Sequence, residues 1–351
     1  MKNIFVIVFV LIVSSVNAQD FGDFLASGKK DASTYLGNYM QPIYKGLIYD
    51  LNAGWYHTGK THKKYGFDIT VNVSASLVPS TDKVFKFKNS DYDTLTLQSG
   101  LSSDDLPTVM GSTSNESINV NIPVDAFGNS VPLGTHTGFR VTSFETLDGI
   151  EDELPIAAVP APMVQFGLGL PSKTDLKLRF VPSVGNEEVK FNLFGIGLQH
   201  NLLQHFKIAD RNPIFNLSVL AAFTTSKTVY APKNSSIGVN QETIININAY
   251  TAQLIGDIDL KVVNFYAGIG YVAGSASTKV LGDYTFNYSY VGVPLPDETI
   301  QIHDPIDIKY SLSGMKATLG MRLNLAWFKV FADYTIQEYH TANAGISFSF
   351  R

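Results

Sequence analysis

Tyr65-Gly66-Phe67-Asp68-Ile69-Thr70-Val71-Asn72-Val73-Ser74-Ala75-Ser76-Leu77 carries an apolar residue at every odd position and a small, polar or charged one at every even position. Successive side chains of a strand point to opposite faces, so this period of two makes one oily face and one wet face. A tilted strand crosses a bilayer in about 9–11 residues, and this stretch is long enough. The same pattern returns in 175–180, 254–262, 315–325, 328–337 and 344–350. Repeated two-faced strands predict an all-β fold, a transmembrane antiparallel β-barrel, because lipid leaves no partner for an open sheet edge.

The first residues bear on where such a barrel would fold. Lys2, the apolar run Ile4 to Val13 and the small or tolerated residues Val16-Asn17-Ala18 predict a cleaved signal peptide over 1–18 and a place in the cell outer membrane. The chain has no cysteine, which excludes a lipidated cysteine and a disulfide framework. A net charge of −5 excludes a nucleic-acid footprint. With 17 Tyr and 23 Phe there are enough rings for interfacial girdles. No apolar run after residue 18 approaches the length of a spanning helix, so any crossing must use strands.

Between the signal and the first strand, Tyr35, Leu36, Tyr39, Met40 and Ile43 recur at helical spacing, predicting a short N-terminal helix within a plug segment at 19–45. Pro42 is expected to bend or end it. The barrel then spans 46–351, with a long irregular insert at about 99–162. Counting Leu47–His57 and part of Val84–Leu97 as strands gives about 12, with 14 as the alternative. Between Ile306 and Leu325 the apolar residues fall on even positions up to Leu312 and on odd positions from Met315. A strict period of two forbids that, so a β-bulge is expected at Gly314. A similar change is expected near Gln253.

If the apolar parity faces lipid, the opposite parity lines the lumen. The candidates are Asp50, Asp68, Asp175, Lys177, Arg179, Asp257, Asp259, Lys261, Lys316, Arg322, Lys329 and Asp333, joined by Asn52, Asn72, Lys190 and Asn192. Both signs occur, which suits either a wet passage or ion-pair networks around a plug. No catalytic residue is expected. His57/His62 and His200/His205 are spaced by five, unlike the i, i+4 pair of a zinc helix, so neither a metal nor any other cofactor is expected. The acidic runs at Asp104-Asp105 and Glu151-Asp152-Glu153 read as solvated loop charge.

The stretch Pro160 to Pro171, followed by Thr174 to Pro182, resembles a family of uncharacterised outer-membrane proteins, as do Phe194 to Asn201 and Tyr35 to Pro42 leading to Gly54-Trp55-Tyr56. The layout is distantly similar to the long-chain fatty-acid transporter family, a resemblance that implies a plugged barrel admitting hydrophobic molecules. Ile346-Ser347-Phe348-Ser349-Phe350-Arg351 resembles the terminal strand that barrel-assembly machinery recognises, although Arg351 follows the aromatic. The expected function is a passive channel or transporter for a small hydrophobic or amphipathic solute, not an enzyme, with outer-membrane lipid as its surroundings. The alternative is a structural or accessory barrel subunit for secretion or surface attachment, docking through residues 99–162.

Overall fold

The computed structural model describes residues 24–126, 130–131, 133–206, 214–233, 238–288 and 298–350, so the expected signal segment lies outside the described residues. Helix α1 (Lys29–Asn52) is followed by β1 (Phe67–Leu77). Five strands then lie between β1 and the next strand of the wall: β2 (Val84–Lys88), β3 (Leu95–Leu97), β4 (Ser103–Pro107), β5 (Ser117–Val124) and β6 (Gly138–Glu145). The meander resumes with β7 (Ala158–Leu170), β8 (Thr174–Gly185), β9 (Val189–Asn201), β10 (Phe215–Tyr230), β11 (Gly238–Asp259) and β12 (Val263–Tyr288). It ends with β13 (Glu298–His303), β14 (Ile306–Leu325), β15 (Phe328–Ile336) and β16 (Thr341–Phe350).

Ten of these strands close a ring. β1 pairs with β7 on one side and β16 on the other, and β11 pairs with β12, so the order β1-β7-β8-β9-β10-β11-β12-β14-β15-β16 returns to its start. Every pair is antiparallel, and β13 only extends the far end of β12. One end of the barrel has short turns: β14 and β15 are joined through Ala326 at a positive φ, β11 and β12 through Lys261, also at positive φ. The links from β7 to β8 and from β9 to β10 lie at this same end, and the other end carries the insert and the links between β8 and β9, β10 and β11, β12 and β14, and β15 and β16.

Among the described residues the ring therefore has ten strands, rather than about twelve or the alternative fourteen. Leu47–His57 is not a strand: Leu47 to Asn52 is the last part of α1 and the rest is irregular, bent chain in the lumen. Val84–Leu97 does not enter the wall either, because β2 pairs with β4 in one small sheet and β3, β5 and β6 form another, both at the long-loop end. The insert expected to be irregular over 99–162 is thus part of a two-sheet subdomain that begins earlier, at Val84, and β7 starts inside its expected limits, at Ala158.

The barrel wall confirms the two-faced reading of β1. Asp68, Thr70, Asn72, Ser74 and Ser76 are buried inside, while Ile69, Val71 and Val73 are exposed outside. The bulge expected at Gly314 is absent: β14 runs against β12 in unbroken register from Leu323 to Ile306. Even positions face inward throughout. What changes is the surroundings. Near the short turns the outside is apolar, with Met315 71% and Leu319 64% exposed, and the inside carries buried Lys316 and Arg322. Toward the long loops the inside is apolar, with Ile306 and Ile308 at 1% and 5%, and the outside is polar. Twenty residues exceed the about 9–11 needed to cross lipid, so the strand projects beyond the apolar belt and its wet face turns outward. β11 behaves alike: its one register shift lies between Val239 and Glu242, not near Gln253. The same reversal corrects Lys190 and Asn192 on β9, which are exposed outside rather than lumenal.

The apolar upper lumen is filled by α1. Its 24 residues span about 36 Å at 1.5 Å per residue, and its Tyr35, Tyr39, Tyr44, Ile48 and Tyr49 join one core with Phe85, Phe87 and Phe144 of the subdomain and Val159, Val272 and Ile306 of the wall. Pro42 neither ends nor bounds the helix, which continues to Asn52 because residues on both sides of it are buried. Tertiary burial outweighs local propensity here. The N-terminal end lies at the long-loop end, where Asp31 accepts hydrogen bonds from the backbone N–H groups of Asp93 and Thr94, so α1 descends the lumen before β1 begins at the short-turn end.

Candidate functional site

Below α1 the chain from 53 to 65 runs as an irregular, repeatedly bent strap toward the short-turn end, and the lumenal charges converge on it. An α-helix ends with carbonyls that have no intrahelical donor and with the negative pole of its dipole. Three wall cations meet that end. Arg179 donates from Nη1 to the Leu51 carbonyl at 2.9 Å and from Nη2 to that of Ala53 at 2.7 Å. Lys316 donates to the Asn52 carbonyl at 2.9 Å, and Lys177 to that of Trp55 at 2.8 Å. The Arg179 guanidinium also lies 3.8 Å from the centre of the Trp55 ring. Gly197 of β9 makes room for that indole, since a Cβ there would come to about 3.0 Å from it.

The lower strap meets carboxylates. Asp257 accepts from the Thr58 hydroxyl and from the Gly59 N–H at 2.7 Å, and Lys60 pairs with Asp259 at 3.0 Å. Asp175 accepts from the His62 N–H at 2.9 Å and faces His62 Nδ1 at the same distance. Asp68 is a hub: Thr70 and Ser347 donate to Oδ2, and His57 Nε2 stands 3.3 Å away. The other His57 nitrogen is 3.0 Å from Arg322 Nη1, and its ring stacks on Phe331 at 4.8 Å. Gly54, at φ 66°, provides the turn from helix to strap, and a side chain there would strike Asn72 and Asn343.

Most of the candidates thus face the lumen, and five of them, Asp175, Lys177, Arg179, Asp257 and Lys316, bond the plug's own backbone. Asp333 binds Tyr266 at 2.9 Å and Asn343 at 2.7 Å on the wall. Asp50 is lumenal but lies on α1 rather than on a strand, taking the Ser76 hydroxyl at 2.7 Å. Asp259 and Lys329 sit at the rim, half-buried. Lys261 is a correction: it occupies the positive-φ turn between β11 and β12 and is exposed. Sequence reasoning missed Trp55, Thr58 and the backbone from 51 to 62 as partners of these charges. Only the mismatch of a 24-residue helix with its mixed apolar and polar surroundings could have signalled them.

The hub does not assemble a nucleophile. Ser347 and His57 both bind the Asp68 carboxylate instead of each other, whereas nucleophilic catalysis needs the base within hydrogen-bond reach of the hydroxyl. No helix long and apolar enough to cross a membrane occurs among the described residues.

A profile described as a family of unknown function (DUF6588) matches residues 1–350. Among curated proteins none matches. Solved structures with similarity include the attachment invasion locus protein Ail of Yersinia pestis, at 10% identity over 82% of this chain and 100% of that one, with a TM-score of 0.26. The outer-membrane protease OmpT of Escherichia coli is 8% identical over 84% and 100%, with a TM-score of 0.28. The toluene transporter TodX of P. putida is 7% identical over 85% and 93%, with a TM-score of 0.26. Scores this low carry no argument about function.

Proposed function

The chain belongs to DUF6588, a family of unknown function, and from the geometry we propose an outer-membrane barrel that is closed at rest and supports its insert subdomain at the cell surface. In this reading residues 1–18 are the cleaved signal, the short-turn end faces the periplasm, and the protein acts as a structural or accessory subunit for surface attachment or secretion. One observation carries it. The wall cations and carboxylates grip the plug from Leu51 to His62, and α1 above them packs into one core with the subdomain, so lumen and surface form a single body. A passage for solutes would leave those charges facing water.

The test is conductance and uptake by the purified full chain in planar bilayers and liposomes. A closed barrel gives neither, while wild-type conductance would overturn the reading. A second reading keeps the expected passage of a small hydrophobic or amphipathic solute. It is favoured by an apolar hollow of about 570 Å³ on the outer wall, lined by Ile196, Leu198, Phe223, Tyr250 and Tyr271. Transport of that kind requires the strap to withdraw, so uptake of an apolar solute without ion conductance would favour it.

A further inference from the structure

At the short-turn end, outside the lumen, β9 ends and a tight turn over Leu203–His205 folds back on it. The fold brings His200 and His205, five apart in sequence, to an Nε2 to Nε2 separation of 2.9 Å. Which ring nitrogen of the His200 imidazole faces His205 with a lone pair follows from its hydrogen bonds. The Thr174 hydroxyl donates to the Ser172 carbonyl at 3.2 Å, so its oxygen accepts from His200 Nδ1–H at 2.8 Å. Nδ1 therefore carries the proton and Nε2 carries a lone pair aimed at His205. Gln204, whose amide nitrogen donates to the carbonyls of Ser172 and Asn201 at 2.8 and 2.9 Å, holds the turn in place and stands 3.1 Å from the same Nε2.

We propose that His200 and His205 form a binding site for a borderline divalent transition-metal ion such as Cu²⁺ or Zn²⁺. Imidazole nitrogens suit these ions, and a ligating histidine generally has its other ring nitrogen fixed by a hydrogen bond, the part Thr174 plays here. Zinc–nitrogen bonds of about 2.0–2.1 Å at a tetrahedral angle place two nitrogens about 3.3 Å apart, so the rings need part by only about 0.4 Å. In the metal-free pair His205 Nε2–H donates to His200. On binding, that proton moves to His205 Nδ1 and the ion takes its place between the two nitrogens. No group of three or more His, Cys, Asp or Glu surrounds an ion site among the described residues, so water completes the coordination. Spacing alone missed the pair, because the five-residue interval fits neither a helical face nor one side of a strand. The turn supplies the approach.

The experiment is calorimetric titration of the full detergent-solubilised chain with Cu²⁺ and with Zn²⁺, with electron paramagnetic resonance of the copper form. The expected result is one tight equivalent with two nitrogen ligands, weakened at least tenfold by His200→Ala and by His205→Ala. Thr174→Val should weaken binding by about 10–100-fold while both ligands remain, as loss of an orienting partner does. His136→Ala, in the insert subdomain, serves as the control and should change nothing. Absence of uptake, or uptake unchanged in both single histidine variants, would overturn the proposal. His205 is exposed and His200 half-buried on the outer face of β9, so thermal unfolding of each variant, expected to match the parent, checks that the loss of binding is not a loss of fold.

Discussion

Arg179→Ala is the most direct test of the grip on the plug. The side chain is fully buried, donates to the Leu51 and Ala53 carbonyls and to Gln165 at 3.2 Å, and covers the Trp55 ring. Each hydrogen bond from a charged group is worth about 1.5–3 kcal/mol, and a desolvated cation over an indole about 2 kcal/mol. These terms are not additive, and truncating one member of a buried charged network costs about 3–5 kcal/mol. The ten strands keep their ladders, so the loss falls on docking of the strap rather than on the barrel. With tenfold for each 1.4 kcal/mol, the undocked fraction should rise by about 10² to a few times 10³. Hydrogen exchange of the amides from Gly54 to His62 reads that fraction, and bilayer recordings should show openings absent from the parent. Unchanged exchange together with a silent bilayer would refute the idea that the lumenal charges hold the plug.

Three further outcomes follow from the same structure. Gly54→Ala places a Cβ at a positive φ against Asn72, so strap exchange should accelerate by the equivalent of about 1–2 kcal/mol, whereas Gly59→Ala, at ordinary φ, should change it less. Gly314→Val enters open space on a regular strand and should leave thermal stability within about 0.5 kcal/mol; a large loss would restore the bulge. Asp82 lies at the long-loop end. Burial alone would raise its carboxyl, but hydrogen bonds from Lys45 at 2.6 Å and Tyr339 at 2.7 Å outweigh this and hold it below its ordinary value. Its contribution is therefore present above the ordinary aspartate range and lost as pH falls through the depressed value, so contact between α1 and the insert should loosen only in strong acid. Exchange at Lys45 across that range should lose this dependence in Asp82→Asn.

The wall was legible because alternation survives wherever one face meets lipid, as in β1 and the last three strands. Where β14 leaves lipid, the contrast inverts, and Ile306 and Ile308 read as outward residues although they are buried. Periodicity reports contrast, and the sign of the contrast is set by the neighbours. Leu47–His57 misled for a related reason. A helix enclosed by a barrel touches protein on every side, so Tyr44, Ile48, Tyr49 and Asp50 are all buried and no single stripe marks the helix. The lumenal charges were legible as inward-facing, but their partners lie far away in sequence. Arg179 and Leu51 are 128 residues apart, a contact that only the closed ring creates.

The course of α1 also constrains how the molecule can be built. Its leading end sits beneath the insert, and its trailing end hands over to β1 at the opposite mouth. A finished cylinder admits such a rod only by end-on threading. Otherwise the first and last staves, β1 and β16, must stay unjoined until the rod is seated, making their seam the closing step of biogenesis.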